Sequence, residues 1–170
     1  MNIKQRHFIN KTQIRELKEE ILPQYDEKFL TQIFPKKCQI ELILTEDGDT
    51  LYAVNNILKL WKSKDGYIPV LTLLLNKQVD LKTVVVDMGA IKFLTLNKAD
   101  VMRPGITKID PSIKKDDIIQ IVDETHSRAL ALGKALFDAN VMESKTSGKV
   151  IKNLHTIKDN VWKFEKQFKT

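Results

Sequence analysis

Among the carboxylates and histidines of this 170-residue sequence, Asp87, Asp100 and His126 or His155 are the candidates for proton transfer. A general base works only beside a placed partner, and no spacing here supplies one. There is no Gly-rich phosphate loop, no His-Glu-x-x-His run and no Gly-x-Ser-x-Gly elbow. A single histidine is more often structural or exposed than catalytic, and Asp87 is read as a cap for the helix that follows it. Cys38 is the only cysteine. That excludes an internal disulfide and a cysteine-built zinc centre and leaves a reduced, packed thiol. No catalytic residue, metal ligand or cofactor is therefore expected. The grip on a polyanion has better candidates. Gly105 lets another backbone come close, and the Lys-rich tail from residue 145 on carries the surplus charge. Gly89-Ala90 also offers free backbone N–H groups at a helix start, where an anion can sit.

These residues need elements to hold them. Thr83 to Val86 is a short β-branched strand, and Ala90 to Leu96 is an apolar helix interrupted by Lys92 alone. Ala99 to Ile106 is a punctuated loop, in which Pro104 pushes Arg103 toward an extended backbone and Gly105 permits a bend. Downstream, Ile118 to Val122 and Ala129 to Leu136 read as buried strands, the second with Gly133 at a point of tight packing. Val141 to Thr146 reads as a short helical turn. Val150 to Thr156 alternates as a strand, and Val161 to Phe164 is expected to close the chain as another.

Upstream the pattern is α+β. Thr12 is the expected N-cap of a helix with Ile14, Leu17, Ile21 and Leu22 on one face, stopped by Pro23. Asp26 caps a second helix carrying Phe29, Leu30, Ile33 and Phe34. Strands follow at Gln39 to Thr45, Leu51 to Val54 and Ile57 to Trp61, with Glu46-Asp47-Gly48-Asp49 as a hairpin turn. Pro69 opens a helix through Asn76. The sequence divides near residues 77–82, without a Gly/Ser linker, so 1–80 and 81–170 are expected to be two closely packed domains.

The motifs carry a resemblance. Val86 to Ile106, VDMGAIKFLTLNKADVMRPGI, resembles the opening of a PUA domain: Asp-x-Gly-Ala, a short helix, Gly-Ala-x-Val, then Pro-Gly-Ile/Val. Lys98 replaces the glycine before Ala99, so the left-handed turn is expected to move back to Asn97. Gly148-Lys149-Val150, His155 and Asp159-Asn160-Val161-Trp162 resemble the ending of such a domain. Gln32 to Lys37 and Tyr67 to Leu74 resemble segments of a pre-PUA domain. Together, residues 10 to 166 resemble the family of the malignant-T-cell-amplified-sequence and translation-machinery-associated proteins.

That resemblance implies an α+β pre-PUA domain followed by a mainly β PUA pseudo-barrel, and an RNA-binding protein without catalysis. It implies action on the small ribosomal subunit, in initiation, reinitiation or recycling, with ribosomal RNA or tRNA as ligand. Eukaryotic members pair with density-regulated protein; heavy Lys and Ile use suggests an archaeal member acting alone, as a monomer. The implied RNA-binding residues are Gly89, Ala90, Lys92, Ala99, Asp100, Met102, Arg103, Pro104, Gly105, Lys149 and Lys152, with Arg103, Lys92 and Lys149 on phosphates. The alternative is a tRNA-binding accessory subunit of an RNA-modification enzyme.

The totals agree with a polyanion partner. Formal net charge is +6. The stretch 145–170 holds seven Lys against Asp159 and Glu165, whereas 83–144 holds eight basic and nine acidic residues. The surplus thus falls in the tail, interleaved with Trp162, Phe164 and Phe168, a pattern that suits phosphates. No apolar run is long enough to span a membrane, and the first residues have no apolar signal core, so a cytoplasmic protein is expected. A rival reading takes Phe8, Phe29, Phe34, Trp61 and Tyr67 as an adaptor's apolar patch, although aromatics at such spacing usually fill a core.

Overall fold

The computed structural model describes residues 1–168. Two sheets, one behind the other in sequence, organise it. The first half runs β1 (Ile3–Phe8), α1 (Lys11–Ile21), α2 (Glu27–Ile33), β2 (Ile40–Thr45), β3 (Thr50–Val54), β4 (Ile57–Ser63), β5 (Gly66–Pro69) and α3 (Leu71–Leu75). Its five strands form an antiparallel meander in sequence order. The second half runs β6 (Thr83–Val86), α4 (Ala90–Leu96), β7 (Val101–Met102), β8 (Ile106–Ile109), β9 (Ile118–Asp123), β10 (Ala129–Ala135), α5 (Ala139–Ser144), β11 (Lys149–Thr156) and α6 (Asn160–Phe168). Its strand order is β7-β11-β10-β9-β6-β8, with β6 and β9 parallel and every other pair antiparallel. The expected architecture, α+β followed by a barrel-like sheet, is the one found.

Local chemistry explains most boundaries. Asp26 caps α2 by accepting from Phe29 N–H. Gly48 turns the β2–β3 hairpin at φ +87°, and Gly133 sits where an added Cβ would lie 2.5 Å from Ile151 Cγ2, so β10 and β11 approach closely only with glycine there.

Three expectations fail, and one strand was not expected. Asn10, not Thr12, caps α1, in a capping box with Gln13; the side chain three residues before the first free N–H sets the cap. Pro69 ends β5, and α3 begins at Leu71. Ile3–Phe8 forms an edge strand whose six residues are all exposed, so no burial pattern marks it. Residues 160–168 form a helix rather than a strand. Val161 and Phe164 are buried on one side of α6, and Asp159 Oδ1 accepts from Trp162 N–H at its start.

The core is in two parts. One lies within the second sheet, around Val84, Ile119, Ile121, Leu94 and Val150. The other joins the first sheet to Ile118, Leu132, Leu154, Val161 and Phe164 of the second half. Most of the aromatic residues of the adaptor reading lie in it: Phe29, Phe34 and Tyr67 are buried and Trp61 is partly so, while Phe8 is exposed. No helix among the described residues is long and apolar enough to cross a membrane.

Candidate nucleic-acid interface

Asp87 directly follows β6 and begins the site. Its Oδ1 accepts from Ala90 N–H at 2.9 Å, while Glu124 Oε1 accepts from Met88 N–H at 3.3 Å. The helix start is therefore capped by carboxylates and does not present the free N–H groups expected for an anion. Seven residues later the chain reverses through Lys98, at φ 49°. The left-handed turn stays at Lys98 and does not shift to Asn97, which has φ −98°. Ala99 N–H closes the turn on Phe93 O at 3.0 Å.

Between α4 and the 99–105 loop lies an open groove of about 400 Å³. Gly89, Ala90, Phe93 and Leu94 line one side, and Ala99, Asp100, Met102 and Gly105 the other. Phe93 is 61% exposed and Met102 51%, with Met88 and Leu96 also solvent-facing nearby in sequence. Gly105 does not have a positive φ. An added Cβ would make an ordinary van der Waals contact with Ala90 Cβ, at 3.6 Å across the groove, so the space there accepts one. Pro104 is exposed on the same loop. Seven of the residues expected on RNA-binding grounds (Gly89, Ala90, Ala99, Asp100, Met102, Gly105 and, by proximity in chain, Pro104) thus come together at one place.

The cations divide. Lys92 is exposed on α4 and forms no ion pair among the described residues. Lys149 is half exposed and pairs with Asp100 at 3.3 Å, at the groove's edge, where β11 is in register with Met102. Arg103 is turned away. Its Nε donates to Met142 O at 2.7 Å and its Nη1 to Ile106 O at 3.2 Å, and Nη2 lies 3.6 Å from Glu143. With 17% of the side chain exposed, it joins the loop to α5 and has few donors left for phosphate. Lys152 is elsewhere too. Lys152 and Lys134 converge on Asp65, at 2.9 and 3.3 Å, and so link β11 and β10 to the turn between β4 and β5. Burial would raise the Asp65 carboxyl pKa, but the hydrogen bonds from Lys152 and Lys134 outweigh it and hold the group below its ordinary value.

The acid–base candidates do not assemble a reacting centre. His126 is exposed. His155 is fully buried at the junction of the two halves: its Nε2 accepts from Leu71 N–H at 3.0 Å, and Nδ1 faces Asp159 Oδ2 at 2.8 Å. The first bond requires an unprotonated Nε2, so Nδ1 carries the proton and donates it to Asp159. Burial works to raise the Asp159 pKa, yet the bonds from His155, Trp162 N–H and Thr156 N–H depress it. Among the described residues no group of three or more His, Cys, Asp or Glu side chains could hold a metal.

Sequence reasoning missed the apolar character of the groove. Phe93 and Leu96 stand beside buried Leu94 and Thr95 on a helix of seven residues. A helix so short and so apolar cannot bury every such side chain on one face, and that excess was the available signal.

Comparison with known proteins fits this geometry. Residues 1–77 match the family model of the Pre-PUA-like domain and residues 82–157 that of the PUA domain. An uncharacterized protein of Methanocaldococcus jannaschii is 38% identical over 97% of this chain and 99% of its own. Translation machinery-associated protein 20 of Saccharomyces cerevisiae is 35% identical, covering 88% of this chain and 87% of its own. The crystal structure of a hypothetical protein from Pyrococcus horikoshii superposes with a TM-score of 0.81 at 30% identity, over 95% of this chain and 99% of that one.

Proposed function

This chain belongs to the Pre-PUA-plus-PUA family that includes translation machinery-associated protein 20 and malignant T-cell-amplified sequence 1, and from that premise we propose that it is an RNA-binding translation protein acting on the small ribosomal subunit. The groove between α4 and the 99–105 loop carries this reading. It is an open apolar slot with a solvent-facing aromatic wall, Phe93, beside an unpaired cation, Lys92. Bases stack on an aromatic face in a sequence-tolerant way, worth about 1–3 kcal/mol each, while a lysine neutralises the phosphate. Such a slot suits unstacked nucleotides rather than the closed face of a duplex. Lys149 adds a second phosphate contact once it leaves Asp100, and Arg103 supports the loop from behind. The reading assigns no catalytic residue: Asp87, Asp100 and His155 are engaged in a helix cap, an ion pair and a buried hydrogen bond.

Sedimentation of the purified protein with small subunits, large subunits and free tRNA, at low and raised salt, tests it. Selective co-sedimentation with small subunits, lost in a Phe93→Ala, Lys92→Ala double variant, is expected. Binding to free tRNA but to neither subunit would replace the ribosomal reading with that of an accessory tRNA-binding subunit.

A further inference from the structure

Asn153 does not line the groove, yet it ties the two walls together. It lies on β11, 7% exposed. One amide nitrogen, Nδ2, donates to Leu94 O at 3.2 Å and to Ala99 O at 3.1 Å. The first of these carbonyls belongs to the last turn of α4, where helical partners run out. The second belongs to the strand-ward side of the turn. Leu94 and Ala99 face each other across the groove. Asp100 completes the tie by accepting from Asn153 N–H at 2.8 Å.

We propose that Asn153 is a positioning residue for RNA: by bridging Leu94 O and Ala99 O it sets the separation of α4 from the 99–105 loop, and so the width of the slot a base enters. This rests on the RNA-binding reading of the groove. Two further observations support it. Lys98, between the two bridged carbonyls, holds a left-handed backbone that a lysine does not favour, so the bond from Ala99 N–H to Phe93 O that closes the turn is reinforced by the two from Asn153. Asn153 Oδ1 is buried and has no hydrogen-bond partner among the described residues. An apolar side chain would avoid that desolvation cost, so what the amide contributes is its pair of donors.

The test uses the full chain, with Asn153→Leu and Asn153→Asp, and a labelled RNA stem-loop bearing a four-nucleotide single-stranded 3′ tail as probe. In Asn153→Leu the dissociation constant should rise about tenfold with the salt slope unchanged, because no phosphate contact is removed. Exchange of the Ala99 amide hydrogen should accelerate while the urea midpoint moves little. In Asn153→Asp a carboxylate would face two carbonyl oxygens, so the protonated form is favoured there and can donate one bond. Its affinity, taken as a ratio to wild type, should therefore recover as pH is lowered from 7.5 to 5.5, and that of Asn153→Leu should not. A role in packing alone predicts no such recovery. Unchanged affinity and unchanged Ala99 exchange in both variants would overturn the inference while leaving the groove as the RNA site. If wild-type protein fails to bind the probe, the RNA reading falls at this site, and Ala99 exchange alone decides whether Asn153 holds the walls: no acceleration in either variant overturns that as well.

Discussion

Strand β11 runs from the groove to the junction between the two halves, and polar groups behave oppositely at its two ends. At the junction they are buried or partly buried and aimed across the halves: His155 to Leu71, Lys134 and Lys152 to Asp65, Thr72 to Glu165. At the groove Arg103 is drawn behind the loop and bound to carbonyls, Asp87 caps α4 and Asp100 pairs with Lys149 at the edge, while the apolar side chains face water. The lesson is that residue type is a poor guide to which side chains a fold leaves open to solvent. Here the histidine, the arginine and one of the lysines that look functional hold the scaffold, and phenylalanine and methionine, which look structural, form the open surface.

The contrast can be broken first at the junction. His155→Ala leaves Leu71 N–H without a partner in a buried site and removes one of the bonds to Asp159 Oδ2, and should cost roughly 3 kcal/mol of stability, read as a lowered urea midpoint. If stability were untouched, the junction would not be the scaffold described. Phe93→Ala tests the other end. It should weaken RNA binding by about 1–3 kcal/mol and leave the urea midpoint in place, since the ring is 61% exposed. A fall in stability with unchanged binding would make the groove part of the core.

Asp65→Asn should cost about 1 kcal/mol near neutral pH, measured by the same denaturation. The Asp65 pKa is lowered in the folded protein, so its contribution is present above the ordinary carboxylate pKa and is lost as pH falls through the lower, folded value. Wild type and Asp65→Asn should therefore converge in acid. The smallest effect belongs to Lys92→Ala: unchanged stability, and a salt slope of RNA binding reduced by about one. A slope unchanged by that substitution removes Lys92 from the phosphate path.

Much of this was legible in the sequence. The Asp-x-Gly-Ala start, the 99–106 loop and the division into an α+β half and a β half all come from punctuation by Gly, Pro and apolar period. What escaped has physical reasons. The residues of β1 are exposed on both faces of a sheet edge, so IKQRHF carries no alternation. In α6, Val161, Phe164 and Phe168 recur at helical spacing behind Asp159, a signal present but overridden by reading the segment as a strand. Arg103 was assigned by charge and Lys152 by the family resemblance, and a linear sequence cannot show that Met142 O, Glu143 and Asp65 wait beside them. The turn at Lys98 kept its place because Asn153, far along the chain, holds both its sides.

Helix α6 follows the last residue of the PUA match, residue 157, yet its buried face helps complete the core of the first half. At its far end the ring of Phe168 lies under the guanidinium of Arg6, 4.7 Å from centroid to carbon, on the first strand. The polypeptide is in effect a closed belt, buckled where β1 meets α6. Cutting it between residues 77 and 82 would open the belt without freeing either half. A fragment trimmed at residue 157 would instead lose the buckle, and a piece of the neighbouring half's interior with it. The two modules that sequence comparison separates are therefore one heritable unit of folding: transplanting the second without its tail, or the first without its neighbour's tail, moves an incomplete object.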